Sequence, residues 1–320
     1  MTGYLIRRTG QALVVVIGVM IMTFVMIHLE PGSAARAYLG PKATPSRIAV
    51  FNATYGLNQP VTEQFVSYFW HLIHGDFGIS YFYQQPVSTL IVERLPSDFF
   101  LVGISSVLAV LIALPTGIYQ AVRRTRLSDN LLTTTAFVLY AMPDFFFGFL
   151  LIAVFAIQLH WLPAGFNQAE GSSFTIGGIL AQPAALVLPI TLLTFTSISG
   201  WSQFMRSSAI ETLAQDYVRM AKAKGLPDRL VLARHVARNS SLSIITLLGL
   251  SLPNLVVGAV ITEYIFNYPG LGVLFLGAAL DHDFPIMMAS ELIVGVTTVV
   301  GNLAADVAYG MLDPRIRHAG

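Results

Sequence analysis

The run Asp216–Asn239 reads DYVRMAKAKGLPDRLVLARHVARN and sets Arg219, Lys222, Lys224, Arg229, Arg234 and Arg238 in an otherwise apolar chain. These residue types suit recognition rather than bond-making. Guanidinium and ammonium groups pair with carboxylates on a partner and set orientation more than raw affinity. The usual bond-making sets are missing from the rest of the chain. A phosphate-binding loop needs Gly-Lys-Ser/Thr, and Lys42, Lys222 and Lys224, the only lysines, do not stand in that setting. There is no HExxH zinc motif and no GxSxG nucleophile elbow. The lack of Cys removes a thiolate nucleophile, a disulfide framework and a Cys-based metal site, and does not fix the compartment. The seven histidines are scattered, and the pair His71 and His74 reads as helix surface because no further ligand lies nearby.

The elements that must position this basic run are membrane elements. The chain is 55% hydrophobic and 11% charged, with a mean hydropathy of +0.68, whereas soluble domains carry roughly 25% charged residues. A crossing helix needs about 20 mostly apolar residues, and six stretches qualify: about Thr9 to Leu29, Phe99 to Val122, Leu131 to Leu159, Pro183 to Phe204, Leu242 to Phe266 and Pro285 to Met311. Their apolar character is continuous, without the alternation of barrel strands, so helices satisfy the backbone. The first stretch follows Arg7 and Arg8, and Ala35-Arg36-Ala37 resembles a cleavage site. Its apolar core is nevertheless longer than the ~7–15 residues of a signal peptide, so it reads as a span.

Basic residues orient the spans. Arg7 and Arg8, then Arg123, Arg124 and Arg126, then Arg206 with the basic run, then Arg315 and Arg317 all fall on one side if there are six crossings. The other side holds Arg36, Lys42, Arg47 and Arg94 in one long loop, and none in Pro163–Gln182 or Asn267–Phe284. The expectation is an all-α membrane protein with six transmembrane helices and both termini cytoplasmic. Its parts are an N-terminus with first helix (1–29), an external loop (30–98), a five-helix core (99–311) containing a cytoplasmic loop (206–240), and a tail (312–320).

Within the basic run, Glu211 to Lys224 lacks Pro and Gly and is rich in helix formers. Leu213, Tyr217 and Met220, with Ala221, recur at helical spacing and predict one apolar stripe. Gly225 suits the position past a helix end, and Pro227 and Asp228 suit the first turn of the next helix. The prediction is a helix, a tight turn and a second helix presenting Arg229, Arg234, His235 and Arg238. The bland alternative is a solvated basic loop that only obeys the positive-inside rule. The Gly-Leu-Pro break and the stripe favour a built module.

Pro115, Pro143, Pro189 and Pro253 lie in spans, where each removes a backbone hydrogen bond and favours a kink. Ionisable residues within spans are functional candidates by default. Asp144 lies mid-span after Pro143 and reads either as a pathway-lining carboxylate that meets a substrate amine or as a local hydrogen-bonding group. Glu263, Glu291 and Asp306 lie nearer span ends, where a solvated or interhelical role is favoured.

The segment resembles the EAA loop of ABC-transporter permeases, specifically the B-type transmembrane subunit of the dipeptide/oligopeptide/nickel importers. The resemblance rests on Asp216-Tyr217-Val218-Arg219, Ala221, Ala223-Lys224-Gly225-Leu226, Arg234-His235 and Arg238-Asn239. Arg219 stands where Glu is usual in EAA loops and Arg238 where Pro is usual, and both departures are similar to the B-type subunit. Further pieces match in order: Gly75-Asp76-Phe77-Gly78 with Ser80, Pro86-Val87, Glu93-Arg94-Leu95-Pro96, Pro143 with Phe145, Phe146 and Gly148, Trp161-Leu162-Pro163-Ala164-Gly165, Glu263 with Phe266, Pro269-Gly270-Leu271-Gly272, and Asp313-Pro314-Arg315. At Asp144 the family usually has Ser, so that carboxylate is particular to this chain.

The resemblance implies a type I importer permease in a bacterial or archaeal cytoplasmic membrane. It implies a second permease subunit, two ATPase subunits that carry ATP and magnesium, and an extracellular or periplasmic binding protein. This chain itself would bind no cofactor and no nucleic acid and would catalyse no reaction. The residues Asp216, Tyr217, Arg219, Ala221, Lys224, Gly225, Leu226, Arg234 and His235 would couple it to an ATPase, with Ala221 and Gly225 allowing close approach. The solute would be a di- or oligopeptide, with nickel or another small solute as the alternative. A stand-alone secondary carrier fits less well, since no internal repeat and no row of intramembrane charges is found. An intramembrane enzyme lacks a nucleophile or metal set.

Overall fold

The computed structural model of the chain describes residues 2–29, 34–40, 42–167, 175–251 and 259–312. Among the described residues the regular secondary structure is helical, apart from one antiparallel bridge between Ile79 and Pro86. A helix of 28 residues, α1 (Thr2–Leu29), is followed by three short helices, α2 (Ala34–Leu39), α3 (Pro45–Thr54) and α4 (Val61–Ile73). The long helix α5 (Val87–Val122) leads to α6 (Leu127–Ala141) and α7 (Asp144–Leu151), which continues as a wider π-helical stretch, Ile152–Gln158. A short α8 (Ile176–Leu180) precedes the second long helix, α9 (Pro183–Leu213).

Among the described residues three helices are long and apolar enough to cross a membrane: Val87–Val122, Pro183–Leu213 and Phe284–Ala304. The third predicted span is not one straight helix, because Leu127–Ala141 and Asp144–Gln158 meet at 103°. Proline explains the break: Pro143 has no N–H to donate, and Met142 before it is extended (φ −78°, ψ 125°) rather than helical. Pro96 and Pro115, by contrast, sit inside α5 without ending it. That helix also begins at Val87, well before the expected Phe99, so the stretch assigned to the long loop contributes its first turns. Residues 252–258 of the predicted fifth span, including Pro253, lie outside the described residues; on either side of them are α13 (Leu242–Ser251) and α14 (Val260–Ile265). The segment expected to be a plain loop, Asn267–Phe284, contains a ten-residue helix, α15 (Leu271–Leu280), before the last helix, α16 (Phe284–Leu312).

The helices α5 and α9 pack along much of their length. They approach closely at Gly117, where a Cβ would stand 2.6 Å from Met205 Cβ and 2.8 Å from the Ser202 carbonyl oxygen. Small residues allow such contact where the surrounding solvent gives helices no hydrophobic drive to associate. Away from this seam α5, α6, α7 and α16 present Val107, Leu111, Phe137, Phe149 and Val300 at their surface, apolar groups for lipid or another apolar subunit to cover. Near the other end, Ser80 Oγ and the Phe82 N–H both donate to Asp283 Oδ2, which ties the loop before α5 to the start of α16.

Candidate functional site: the basic helix–turn–helix

The basic run grows out of the end of α9. That helix ends at Leu213, and the chain turns through Ala214 and an extended Gln215 (φ −72°, ψ 146°) before α10 (Asp216–Ala223) begins. The predicted helix from Glu211 to Lys224 is therefore two helices with a break between them. Asp216 opens α10, where a carboxylate meets the positive end of the helix dipole.

The turn after α10 is closed by two reverse hydrogen bonds, Gly225 N–H to Lys222 O at 2.9 Å and Leu226 N–H to Ala221 O at 3.4 Å. This is the Schellman arrangement, which places its left-handed residue just past the helix end. Gly225 takes that place with φ +78°, and no atom lies within 4 Å of where its Cβ would be. Space does not demand glycine here; backbone conformation does. Pro227 then sits just before α11 (Asp228–Val231), with Asp228 in its first turn. The chain continues through a π-helical stretch, Leu232–Ala237, into α12 (Arg238–Ser240). Lys222 Nζ and Asp228 Oδ1 lie 3.4 Å apart across the turn, both largely exposed, a pair that contributes little in water.

The face that packs inward differs from the predicted stripe. Val218 and Ala221 are buried against Ala121 of α5, Ala209 of α9, and Val231 and Val236 of the following segment, with Leu213 and Leu226 partly buried beside them. Tyr217 and Met220 stay outside at 37% and 61% exposure. Tyr217 and Met220 leave the predicted stripe because the break at Ala214–Gln215 separates α9 from α10, so Leu213 and Tyr217 do not lie one turn apart on a single helix. Ala221, a member of the predicted stripe, is buried in this cluster, as Leu213 is in part.

The other predicted residues are placed as follows. Asp216, Arg219, Lys224, Gly225 and Arg234 are exposed, and Leu226 and His235 are half-buried. The rings of Tyr217 and His235 lie 6.4 Å apart, so the two arms of the module meet there. Asp144 is exposed at the first turn of α7, beside the bend at Pro143, and not inside a continuous span. The module thus offers a surface with an apolar part, Tyr217 and Met220, set among Arg219, Lys222, Lys224, Arg229 and Arg234. Such a surface can seat in a groove that is apolar at its floor and acidic at its rim.

Two features escaped the sequence reading. Arg206 of α9 donates Nε to Asp129 Oδ1 and Nη2 to Asp129 Oδ2, each at 2.8 Å, and Asp129 is also held by the Thr125 N–H and Thr133 Oγ1. Asp98 and Glu263 are both fully buried and adjacent. No short-range motif marks either pair, since their members are separated by 77 and 165 residues. Among the described residues no group of three or more His, Cys, Asp or Glu side chains is arranged to hold a metal ion.

Comparison with known proteins agrees with this architecture. Residues 113–318 match the model of the binding-protein-dependent transport system inner membrane component, and residues 1–102 match the N-terminal part of such membrane components. The chain is 37% identical over 319 residues to the oligopeptide transport system permease protein AppB of Bacillus subtilis, covering 99% of this chain and 100% of that one. It is 34% identical over 318 residues to the glutathione transport system permease protein GsiC of Salmonella typhimurium, covering 99% and 100%. The chain belongs to the family of binding-protein-dependent transport system inner membrane components, and is a non-catalytic permease subunit of an ABC importer.

Proposed function

We propose that this chain carries di- or oligopeptides inward as one of two permease subunits, driven by two ATPases at its cytoplasmic face and supplied by a solute-binding protein. The observation that carries the coupling part is the module around Gly225. It is braced on its inner face by packing against the ends of α5 and α9, while Tyr217, Met220 and five basic side chains point outward. An element braced on one side and amphipathic on the other suits a lever that follows a moving partner. The peptide part is supported by the oligopeptide and glutathione permeases to which the chain is similar over nearly its whole length.

The topology we propose has six crossings and both termini in the cytoplasm of a bacterial or archaeal cell. Its first crossing is α1, about 40 Å long at 1.5 Å per residue, and its third is the bent pair α6–α7. The fifth runs through α13 and α14. In this arrangement the basic module and the α5–α6 turn share the cytoplasmic side, and α2–α4 and α15 lie outside.

The test is uptake of labelled di- and tripeptides into proteoliposomes holding the assembled transporter, with binding protein outside and ATP on the ATPase side. Uptake that needs both ATP and binding protein is expected. Uptake by the permease alone on an ion gradient would overturn the reading, and import of nickel but no peptide would overturn its substrate.

A further inference from the structure

The pair Asp98 and Glu263 joins the first turns of α5 to the segment around α15. Both side chains are fully buried. Asp98 Oδ2 accepts the Leu271 N–H at 2.8 Å and Glu263 Oε2 accepts the Val273 N–H at 2.9 Å. Both carboxyls therefore cap the N-terminus of α15, a place that favours negative charge. Tyr268 reinforces the joint, its hydroxyl donating to the Ser97 carbonyl oxygen at 2.7 Å.

These donors satisfy one oxygen of each carboxyl. Asp98 Oδ1 and Glu263 Oε1 are buried and receive no hydrogen bond from any other described group. Asp98 Oδ1 and Glu263 Oε2 both crowd the same point beside Gly270, so the two carboxyl groups face each other there. Gly270 is what lets them meet, since a Cβ there would sit inside contact distance of Asp98 Oδ1 and Glu263 Oε2. Two carboxylates cannot hydrogen-bond each other, because both only accept, and like charges this close in a buried site cannot both ionise freely. Among the described residues, Arg94 and Tyr268 are the titratable groups beside the pair. Arg94 lies one helical turn before Asp98, with Nη1 donating to the Leu90 carbonyl oxygen and its guanidinium over the Tyr83 ring. Tyr268 is the other, and α15 itself contains no ionisable residue.

We propose that Asp98 and Glu263 hold one proton between them, as a carboxyl–carboxylate clasp that positions α15 against α5, and that transport fails when the proton is lost. Asp98 and Glu263 are positioning residues: neither is placed on the solute. With the proton present, one carboxyl donates to the other and the α15 N–H groups keep their acceptors. Without it, two buried negative charges repel across Gly270 and the joint between α5 and α15 opens.

The experiment uses the assembled transporter in lipid and has two independent readouts. Infrared difference spectra in H2O and D2O report a protonated carboxylic acid directly. The acid band is expected in the wild type at neutral pH, to disappear at alkaline pH, and to be missing from Asp98→Asn and Glu263→Gln. Peptide uptake is the second readout and rests on the import reading above, whereas the band does not depend on what is carried. Wild-type uptake is expected to fall roughly tenfold toward alkaline pH. The Asp98→Asn variant should keep most of the neutral-pH rate and lose that alkaline fall, because its amide donates to Glu263 without a titrating proton. Asp98→Ala should be impaired at every pH. Absence of an acid band that titrates in the wild type would overturn the proposal, even if the variants failed to assemble. So would an Asp98→Asn variant with the wild-type alkaline fall.

Discussion

Arg206 and Asp129 are held by two parallel hydrogen bonds of 2.8 Å, joining the far end of α9 to the first turn of α6. Asp129 is 1% exposed and Arg206 24%. The paired fork geometry fixes direction as well as distance. The joint lies one turn before Ala209, which packs under the basic module. In the proposed coupling, a displacement of the module would pass to α6 through this joint as well as to α9.

Asp129→Ala should lower stability by roughly 2 kcal/mol, since it removes charged hydrogen bonds and strands a partly solvated guanidinium. Arg206→Lys keeps the charge and loses the fork. It should unfold at nearly the wild-type temperature yet import fewer molecules per ATP hydrolysed. Thermal unfolding and the transport-to-hydrolysis ratio, measured on the same preparation, check both statements.

At Gly225 the left-handed backbone costs an L-residue about 1–2 kcal/mol. Gly225→Val should strain the turn and uncouple ATP hydrolysis from uptake, although no neighbour is in the way. Asn tolerates this conformation better, so Gly225→Asn should retain coupling. Equal behaviour of the two variants would remove backbone conformation as the reason for glycine here.

The inner and outer faces of α10 should respond differently. Ala221→Asp puts an unpaired charge into the packed cluster, and a loss of several kcal/mol is expected, seen as misfolded or degraded protein. Met220→Glu, on the exposed face, should leave stability within about 0.5 kcal/mol. It should also weaken ATPase capture roughly tenfold if Met220 is an anchor of the contact. Normal capture by the Met220→Glu variant, judged by pull-down from membranes, would separate the exposed apolar patch from docking.

Topology can be read with thiols, because the chain contains no Cys. Ser46 and Asp228 are exposed. An impermeant maleimide applied to sealed cells should label Ser46→Cys and spare Asp228→Cys. Labelling of the latter would contradict the proposed orientation.

Asp144→Asn tests the pathway reading of the carboxylate at the bend. Transport is expected to change while assembly does not. Parallel loss of folded protein and uptake would instead assign Asp144 to stabilising the first turn of α7.

What the sequence determined by itself was local in origin. Continuous apolar runs specified helices, the Gly-Leu-Pro break specified a turn with a left-handed glycine, and clustered basic residues marked one module. These follow from backbone conformation and side-chain solvation over a few residues. Tertiary structure decided what depends on how helices are rotated and brought together. The break at Ala214–Gln215 turned Val218 and Ala221 inward in place of Tyr217 and Met220. Pro143, with an extended Met142 before it, bent one predicted span by 103°, while Pro96 and Pro115 left α5 intact, so proline in the sequence alone did not decide where a helix would break. The pairing of Asp98 with Glu263 and of Asp129 with Arg206 was set by folding, which brought distant carboxyls into buried places where only a specific partner makes them tolerable.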